Sequence, residues 1–424
     1  VVWRVPALFP SAPIRHDAGM TRLLSLFVAL SASIVLAQQD LATQIPGLAD
    51  LPDATDALQA EIDAHGGFLS LKPGDDDAAI RAAIARVIDR GWFILGPELE
   101  AFEAEFAAAC GTTHSVGVNT GTDAIALLLR AMGIGAGDEV ITAPLSAAYT
   151  GLAVMMAGAR PVFADIDPQR HTIDPRAVEA AITPRTAAIM PVHLYGQSAD
   201  MTALCAIAER HGLAIVEDAA QAHLCTHEGR PVGTFGAGAA FSFYPTKNLG
   251  ALGDGGAVVT NDAAIADRLR RLRNGGQRVT YQHESFGVNS RLDEMQAAVL
   301  RERLQRLPAW TAQRRTLAVR YRTLLRDAPV RVPREFDTGH VYHLFPVRVD
   351  NRAAFQSHMT ARGIQTLVHY PHALTRQPAF ADQSPAPCPE AERAAAEVVS
   401  LPLHPLLTAA DINLVAEAAR TFTE

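Results

Sequence analysis

Phe241-Ser242-Phe243-Tyr244-Pro245-Thr246-Lys247-Asn248-Leu249-Gly250 decides the reading of this chain, and Lys247 stands at its centre. The chain has two lysines, Lys72 and Lys247, so 35 of its 37 basic residues are arginine. A surface cation tolerates exchange of Lys for Arg, because charge and reach are all it supplies. A nucleophilic amine does not, because guanidinium stays protonated and forms no Schiff base. Lys72 sits in a Leu-Lys-Pro-Gly turn and reads as a surface residue. Lys247 is the candidate for chemistry.

Two stretches upstream fit the same chemistry. Leu213-Ala214-Ile215-Val216-Glu217-Asp218-Ala219-Ala220-Gln221 is a short apolar run ending in carboxylates. That pattern suits a buried parallel strand delivering an acid at its carboxyl end. Val116-Gly117-Val118-Asn119-Thr120-Gly121-Thr122-Asp123-Ala124 leads into a helix expected over 124–131. Its small residues and free N–H groups suit a phosphate at the helix N-terminus. An amine, a carboxylate and a phosphate cradle are the three handles that hold pyridoxal phosphate: a Schiff base, a partner for the pyridine nitrogen and an anchor for the phosphate.

Around these handles lie Gly91-Trp92-Phe93-Ile94-Leu95-Gly96-Pro97, Pro191-Val192-His193-Leu194-Tyr195-Gly196-Gln197 and Gly287-Val288-Asn289-Ser290-Arg291-Leu292-Asp293-Glu294. With these six motifs in order, from about Phe68 to the end, the chain resembles the DegT/DnrJ/EryC1/StrS sugar aminotransferases. The resemblance implies an α/β, fold-type-I pyridoxal-phosphate transferase: a mostly parallel sheet flanked by helices, with a smaller C-terminal α/β domain. The expected division is a leader or extension over 1–65, a large cofactor domain over 66–305 and a small domain over 306–424.

The implied roles follow residue by residue. Lys247 carries the cofactor and, once displaced by the amino donor, moves the proton between substrate and cofactor carbons. Asp218 pairs with the protonated ring nitrogen, with helix capping as its other reading. Gln221 contacts the ring hydroxyl or orients that carboxylate. Gly121, Thr122 and Ser242 hold the phosphate, and Asn289 reaches the phosphate bound by a partner subunit, which implies a homodimer with shared sites. The family's aromatic ring over the cofactor falls on Ala147 here, leaving Tyr149 as a nearby substitute. Val341-Tyr342-His343-Leu344-Phe345 and Leu367-Val368-His369-Tyr370-Pro371 are the stretches expected to meet the sugar. His369, Tyr370, His343 and Tyr195 are the candidate substrate residues, with core packing as the alternative for His369 and Tyr370. The implied reaction moves an amino group from glutamate or glutamine to a keto group of a nucleotide-diphosphate sugar, at C3 or otherwise at C4. A cyclitol ketone and a non-catalytic regulator are the alternatives; a third is a dehydratase, relatives of that kind having histidine in place of the lysine, and Lys247 argues against it.

Composition bounds the rest. A chain of 424 residues is long enough for two cores, and 19% charged residues reads as globular. A net charge of −8 without a basic run argues against a nucleic-acid surface. Cys110, Cys205, Cys225 and Cys388 have no metal-like spacing, so no metal is expected. Met20-Thr21-Arg22, the apolar run 23–37 and Gln38-Gln39-Asp40 have the three-part look of a secretory signal. The run is short for a membrane span. A cytosolic cofactor and substrate favour reading it as a leader without function, and the protein as cytoplasmic. Further along, periodicity and turn residues predict helices over 76–90, from 97, over 149–157, 175–181 and 293–306, and strands over 139–142, 160–164, 187–191 and 256–260. Separate elements are expected over 314–325, 341–349, 352–362, 364–368 and 409–422.

Overall fold

The computed structural model describes residues 68–69, 71, 74–383 and 385–423. The signal-like run and the proposed extension over 1–65 lie outside the described residues. The described residues form one compact unit.

Two helices come first, α1 (Asp77–Arg90) and α2 (Pro97–Ala109). Gly91 ends α1 at φ 67°, where its N–H returns to the Val87 and Ile88 carbonyls and a side chain would be strained. Pro97 opens α2, where its missing N–H costs nothing. Then β1 (His114–Val118), α3 (Gly121–Ala131), β2 (Glu139–Thr142), α4 (Ala148–Met156), β3 (Arg160–Phe163), α5 (Pro175–Ala181), β4 (Thr186–Met190), α6 (Met201–His211) and β5 (Ala214–Asp218) alternate. A two-residue ladder, β6 (Thr226–His227) with β7 (Arg230–Pro231), precedes β8 (Gly238–Ser242) and β9 (Gly256–Thr260).

Seven strands form one sheet in the order β1-β9-β8-β5-β4-β2-β3. Only β9 runs against its neighbours; the pairs β2/β3, β2/β4, β4/β5 and β5/β8 are parallel. The strands are almost wholly buried and apolar through their middles, with polar residues only at their ends, as a sheet covered on both faces requires. Their carboxyl ends therefore gather Asp218, Ser242 and the loops after β2 and β4 along one edge, where ligands bind in such sheets.

After α7 (Ala263–Leu272) and the hairpin β10 (Gln277–Val279) with β11 (Gln282–His283) comes one long helix, α8 (Glu294–Leu324). The expected helices over 293–306 and 314–325 are thus one element, and the division drawn between 305 and 306 falls inside it. Pro308 lies in its interior. Packing against α1 and α2 at one end and against the last helix at the other carries the helix through that position. Beyond it, β12 (Phe345–Arg348), α9 (Arg352–Thr360), β13 (Val398–Leu401) and α11 (Ala409–Arg420) enclose a separate apolar cluster built on Tyr321, Phe345, Phe355 and Ile412, whereas α10 (Pro389–Glu397) turns Ala391, Ala394 and Ala395 into the cluster of Ile141, Phe163 and Ile189 beside the large sheet. Of the element expected over 341–349 only the last part is strand. Val341–Leu344 is loop because Tyr342 turns to φ 47°. The element expected over 364–368 is a loop making a single bridge, Leu367 to Ser400.

Candidate active site

The site begins at α3. Thr120 caps it, accepting from Asp123 N at 3.0 Å, so the helix starts at Gly121, earlier than periodicity indicated. The Gly121 and Thr122 N–H groups, ahead of that bond, are left for a ligand. Gly121 packs against Ser242: a Cβ there would lie 2.6 Å from the Ser242 Cβ. Only glycine lets the helix N-terminus and the Ser242 hydroxyl share one small cradle. Ser290 ties the same corner together, donating to Asp123 Oδ2 at 2.7 Å and accepting from Asn119 N at 3.1 Å.

Asp218 ends β5, 3% exposed. Burial raises its pKa, while the Thr150 hydroxyl, the Ala220 N–H and Lys247 work in the other direction. Thr150 Oγ1 donates to Oδ2 at 2.8 Å, and Ala220 N donates to Oδ1 at 3.1 Å. A turn follows Asp218, not a helix, so the capping reading fails: Oδ1 closes a local turn and Oδ2 faces Thr150. Glu217 points the other way, as strand alternation requires. It is wholly buried and accepts from Gly233 N, Phe235 N and His193 Nε2. Because His193 Nδ1 accepts from Ala199 N, the proton of its neutral ring sits on Nε2.

Lys247 follows β8 in a tight turn, its N–H returning to the Tyr244 carbonyl at 2.8 Å. Gly250 makes the turn possible, since a Cβ there would stand 2.4 Å from the Pro245 carbonyl oxygen. Burial lowers the Lys247 pKa to about 8, against the opposing pull of Asp218. The paired shifts are those of an amine kept ready to lose its proton beside a carboxylate in a dry site.

The remaining candidates form one network around this pair. Gln221 Oε1 accepts from Tyr195 N at 2.7 Å and Gln221 Nε2 donates to the Tyr370 hydroxyl at 2.9 Å. Tyr195, 3% exposed, donates its hydroxyl to the His369 carbonyl. His369 Nδ1 pairs with Ser400 Oγ at 3.0 Å, and burial with nearby Lys247 lowers the His369 pKa to about 4. His343 Nδ1 pairs with Asn248 Oδ1 at 3.2 Å, while Asn248 Nδ2 donates to the Val341 carbonyl. Burial, Lys247 and Arg314 hold His343 neutral, its pKa well below the usual value. Asn289 stands outside this network: it is exposed, and its backbone bridges to Asn274. Tyr149 is 64% exposed on α4, so it faces outward in the single chain.

Sequence reading missed four residues here. Thr150 and Ser146 brace Asp218, Asn248 fixes the His343 ring, and His223 donates from beneath the cradle to the Ser242 carbonyl at 2.9 Å. Asn248 was within the quoted motif and adjacent to Lys247. The others could be found only once the sheet order was known.

A carboxylate for a ring nitrogen, a helix N-terminus with a hydroxyl for a phosphate and an amine of lowered pKa fit pyridoxal phosphate. A model of the DegT/DnrJ/EryC1/StrS aminotransferase family matches residues 74–420. The dTDP-3-amino-3,4,6-trideoxy-alpha-D-glucose transaminase of Streptomyces venezuelae is 52% identical over 84% of this chain and 96% of its own. The erythromycin biosynthesis sensory transduction protein EryC1 of Saccharopolyspora erythraea is 52% identical over 82% of this chain and 94% of its own. The crystal structure of DesV from S. venezuelae superposes with a TM-score of 0.80 at 52% identity, covering 82% of this chain and 94% of that one.

Proposed function

Because the chain belongs to the DegT/DnrJ/EryC1/StrS aminotransferase family, whose members depend on pyridoxal phosphate, we propose that it transfers an amino group from glutamate or glutamine to the C3 ketone of a nucleotide-diphosphate deoxyhexose. The observation that carries the reading is the pairing at its centre: Lys247, one of two lysines in the chain, has its pKa lowered to about 8 opposite the buried Asp218. The C3 position is supported by the product named for the Streptomyces transaminase. C4 amination and a cyclitol ketone are the competing substrates. The name of EryC1 speaks of sensory transduction, but a regulator has no need of an amine and a carboxylate tuned in this way.

When bound, the cofactor supplies an electrophilic carbon for amines and a ring that draws electrons from the reacting bond. The protein does the rest. The N–H groups of Gly121 and Thr122, with the Thr122 and Ser242 hydroxyls, bind the phosphate. Asp218 holds the ring nitrogen protonated, an anion at close range favouring the charged form. Lys247 Nζ would hold the cofactor and, once freed by the donor amine, would carry a proton from the substrate carbon to the cofactor carbon, a task for which a pKa near working pH is suited. His343 and His369, both neutral, and the Tyr370 hydroxyl present polar edges to the sugar. Gln221 and Tyr195 act at one remove, through the loop that carries His369 and Tyr370.

Asn289 completes the phosphate site of a second subunit in this proposal. Trp92, Phe93, Ile94, Leu252 and Met295 support it: all are exposed. They adjoin one another through the Ile94–Asp293 bridge, the bond from Glu294 N to the Phe93 carbonyl and the bond from Leu252 N to Gln296. Such an apolar face marks an interface. No helix among the described residues is long and apolar enough to cross a membrane, and we place the protein in the cytoplasm, where its cofactor and nucleotide-linked substrate are made.

The test is the absorption spectrum of purified protein with pyridoxal phosphate, before and after glutamate or glutamine, followed by 3-keto and 4-keto nucleotide sugars. The expected result is a lysine-bound band that the donor bleaches and the 3-keto sugar restores. A band that responds to no amino donor sinks the assignment, and restoration by the 4-keto sugar or a cyclitol ketone alone redirects it.

A further inference from the structure

The two oxygens of Asp218 are held differently. Oδ1 takes the Ala220 N–H of its own turn, whereas Oδ2 takes the hydroxyl of Thr150, from the helix after β2, at 2.8 Å. Thr150 Oγ1 lies in turn 2.8 Å from Ser146 Oγ, and the two side chains are 2% and 3% exposed. The direction of this second bond follows by elimination. A threonine hydroxyl has one proton, and an ionised carboxylate can only accept. Thr150 gives its proton to Asp218, so the bond between the hydroxyls must be donated by Ser146.

We propose that Ser146 and Thr150 form a directed chain of donors ending on Asp218, and that Thr150 is the positioning residue that keeps this carboxylate ionised and aimed at the ring nitrogen. The inference rests on the cofactor reading above and deepens it. A buried carboxylate facing a pyridine nitrogen shares one proton with it, and two arrangements compete: ion pair, or neutral acid against neutral ring. Burial favours the neutral arrangement by raising the Asp218 pKa, and the Thr150 hydroxyl acts against that rise. A hydroxyl donor favours the anion, and a second hydroxyl behind it strengthens the first. With the proton on the ring, electrons are drawn from the reacting carbon; with the proton on Asp218, they are not. Thr150 lies in the first turn of α4 and Ser146 in the loop just before it, after Pro144, so the loop leaving the carboxyl end of β2 brings the second hydroxyl onto the first.

The experiment uses holoenzyme loaded with pyridoxal phosphate labelled with ¹⁵N in the ring, in wild type, Thr150→Val, Thr150→Ser and Ser146→Ala. The ¹⁵N shift is followed with pH across about 6 to about 9 and cofactor affinity is measured alongside. Wild type and Thr150→Ser should keep the ring proton throughout. Thr150→Val, which keeps shape and loses the donor, should lose it within that range and bind cofactor about tenfold more weakly, about 1.4 kcal/mol. Ser146→Ala should shift in the same direction by less. A folded Thr150→Val holoenzyme with a fully protonated ring overturns the proposal and leaves Thr150 as packing. Should Thr150→Val fail to fold, Ser146→Ala decides, and an unmoved ring titration there is the overturning result. Wild type that binds no cofactor would instead sink the underlying reading.

Discussion

Burial outweighs a neighbouring carboxylate at Lys247, and that balance sets what the residue can do. Asp218 alone would hold the ammonium charged, but removal from water lowers the pKa to about 8. The neutral amine is the reactive form, so covalent capture of cofactor by the apoenzyme should speed up as pH rises from 6.5 and level off just above about 8, not near the usual lysine value of about 10.4. Stopped-flow absorbance across that range measures it. A rate still climbing at pH 10 would mean that the amine is solvated. Lys247→Arg keeps the charge beside Asp218 and loses the nucleophile. Turnover should fall by at least about a thousandfold, and borohydride should no longer fix cofactor mass to the peptide containing residue 247.

At the scale of elements, the start of α8 secures the start of α2. Glu294, wholly buried, accepts from Gly96 N at 3.0 Å, Glu98 N at 2.9 Å and Leu99 N at 2.8 Å. One carboxylate thus satisfies donors that a helix N-terminus otherwise leaves open, with the dipole in its favour. Glu294→Gln offers one acceptor oxygen to three donors and should cost about 2–4 kcal/mol. The urea midpoint should fall with an unchanged slope; an unmoved midpoint would show that water replaces the carboxylate. In the sequence Glu294 belongs to a motif but shows no sign of this structural task, and the reason is general. Caps, strand ends and glycine turns are local, so Gly91, Pro97 and the strand at 139–142 could be read directly, as could Asp218, Lys247 and the Gly121 turn, because the chemistry demands those residue types. Glu294 to Gly96, Ser290 to Asp123 and Thr150 to Asp218 join segments far apart in the chain. Nothing in a local pattern orders the strands that bring them together. The fusion of two expected helices across Pro308 has the same origin, since packing at both ends overrode a local breaker.

For the whole molecule the question is whether one chain holds a complete site. Lys247, Asp218, Gly121 and Ser242 converge within the chain, whereas Asn289 is exposed, four residues ahead of the Asp293 that bridges to Ile94 of the exposed apolar face. If Asn289 serves the phosphate of a second subunit, each dimer has two sites that draw on both chains. Subunit mixing separates this from two self-sufficient sites. A Lys247→Ala dimer lacks the amine in both sites, and an Asn289→Ala dimer lacks the amide in both. In the mixed dimer, one site inherits both defects and the other receives native Lys247 from one chain and native Asn289 from the other. Mixing the two weak variants under conditions that exchange subunits should therefore restore turnover at limiting cofactor. If Asn289 served its own chain, every site in the mixture would carry one defect and activity would stay at the average of the parents. Restoration places the boundary of the working unit at the dimer, and no restoration, with mixed dimers demonstrated by mass, places it at the single chain.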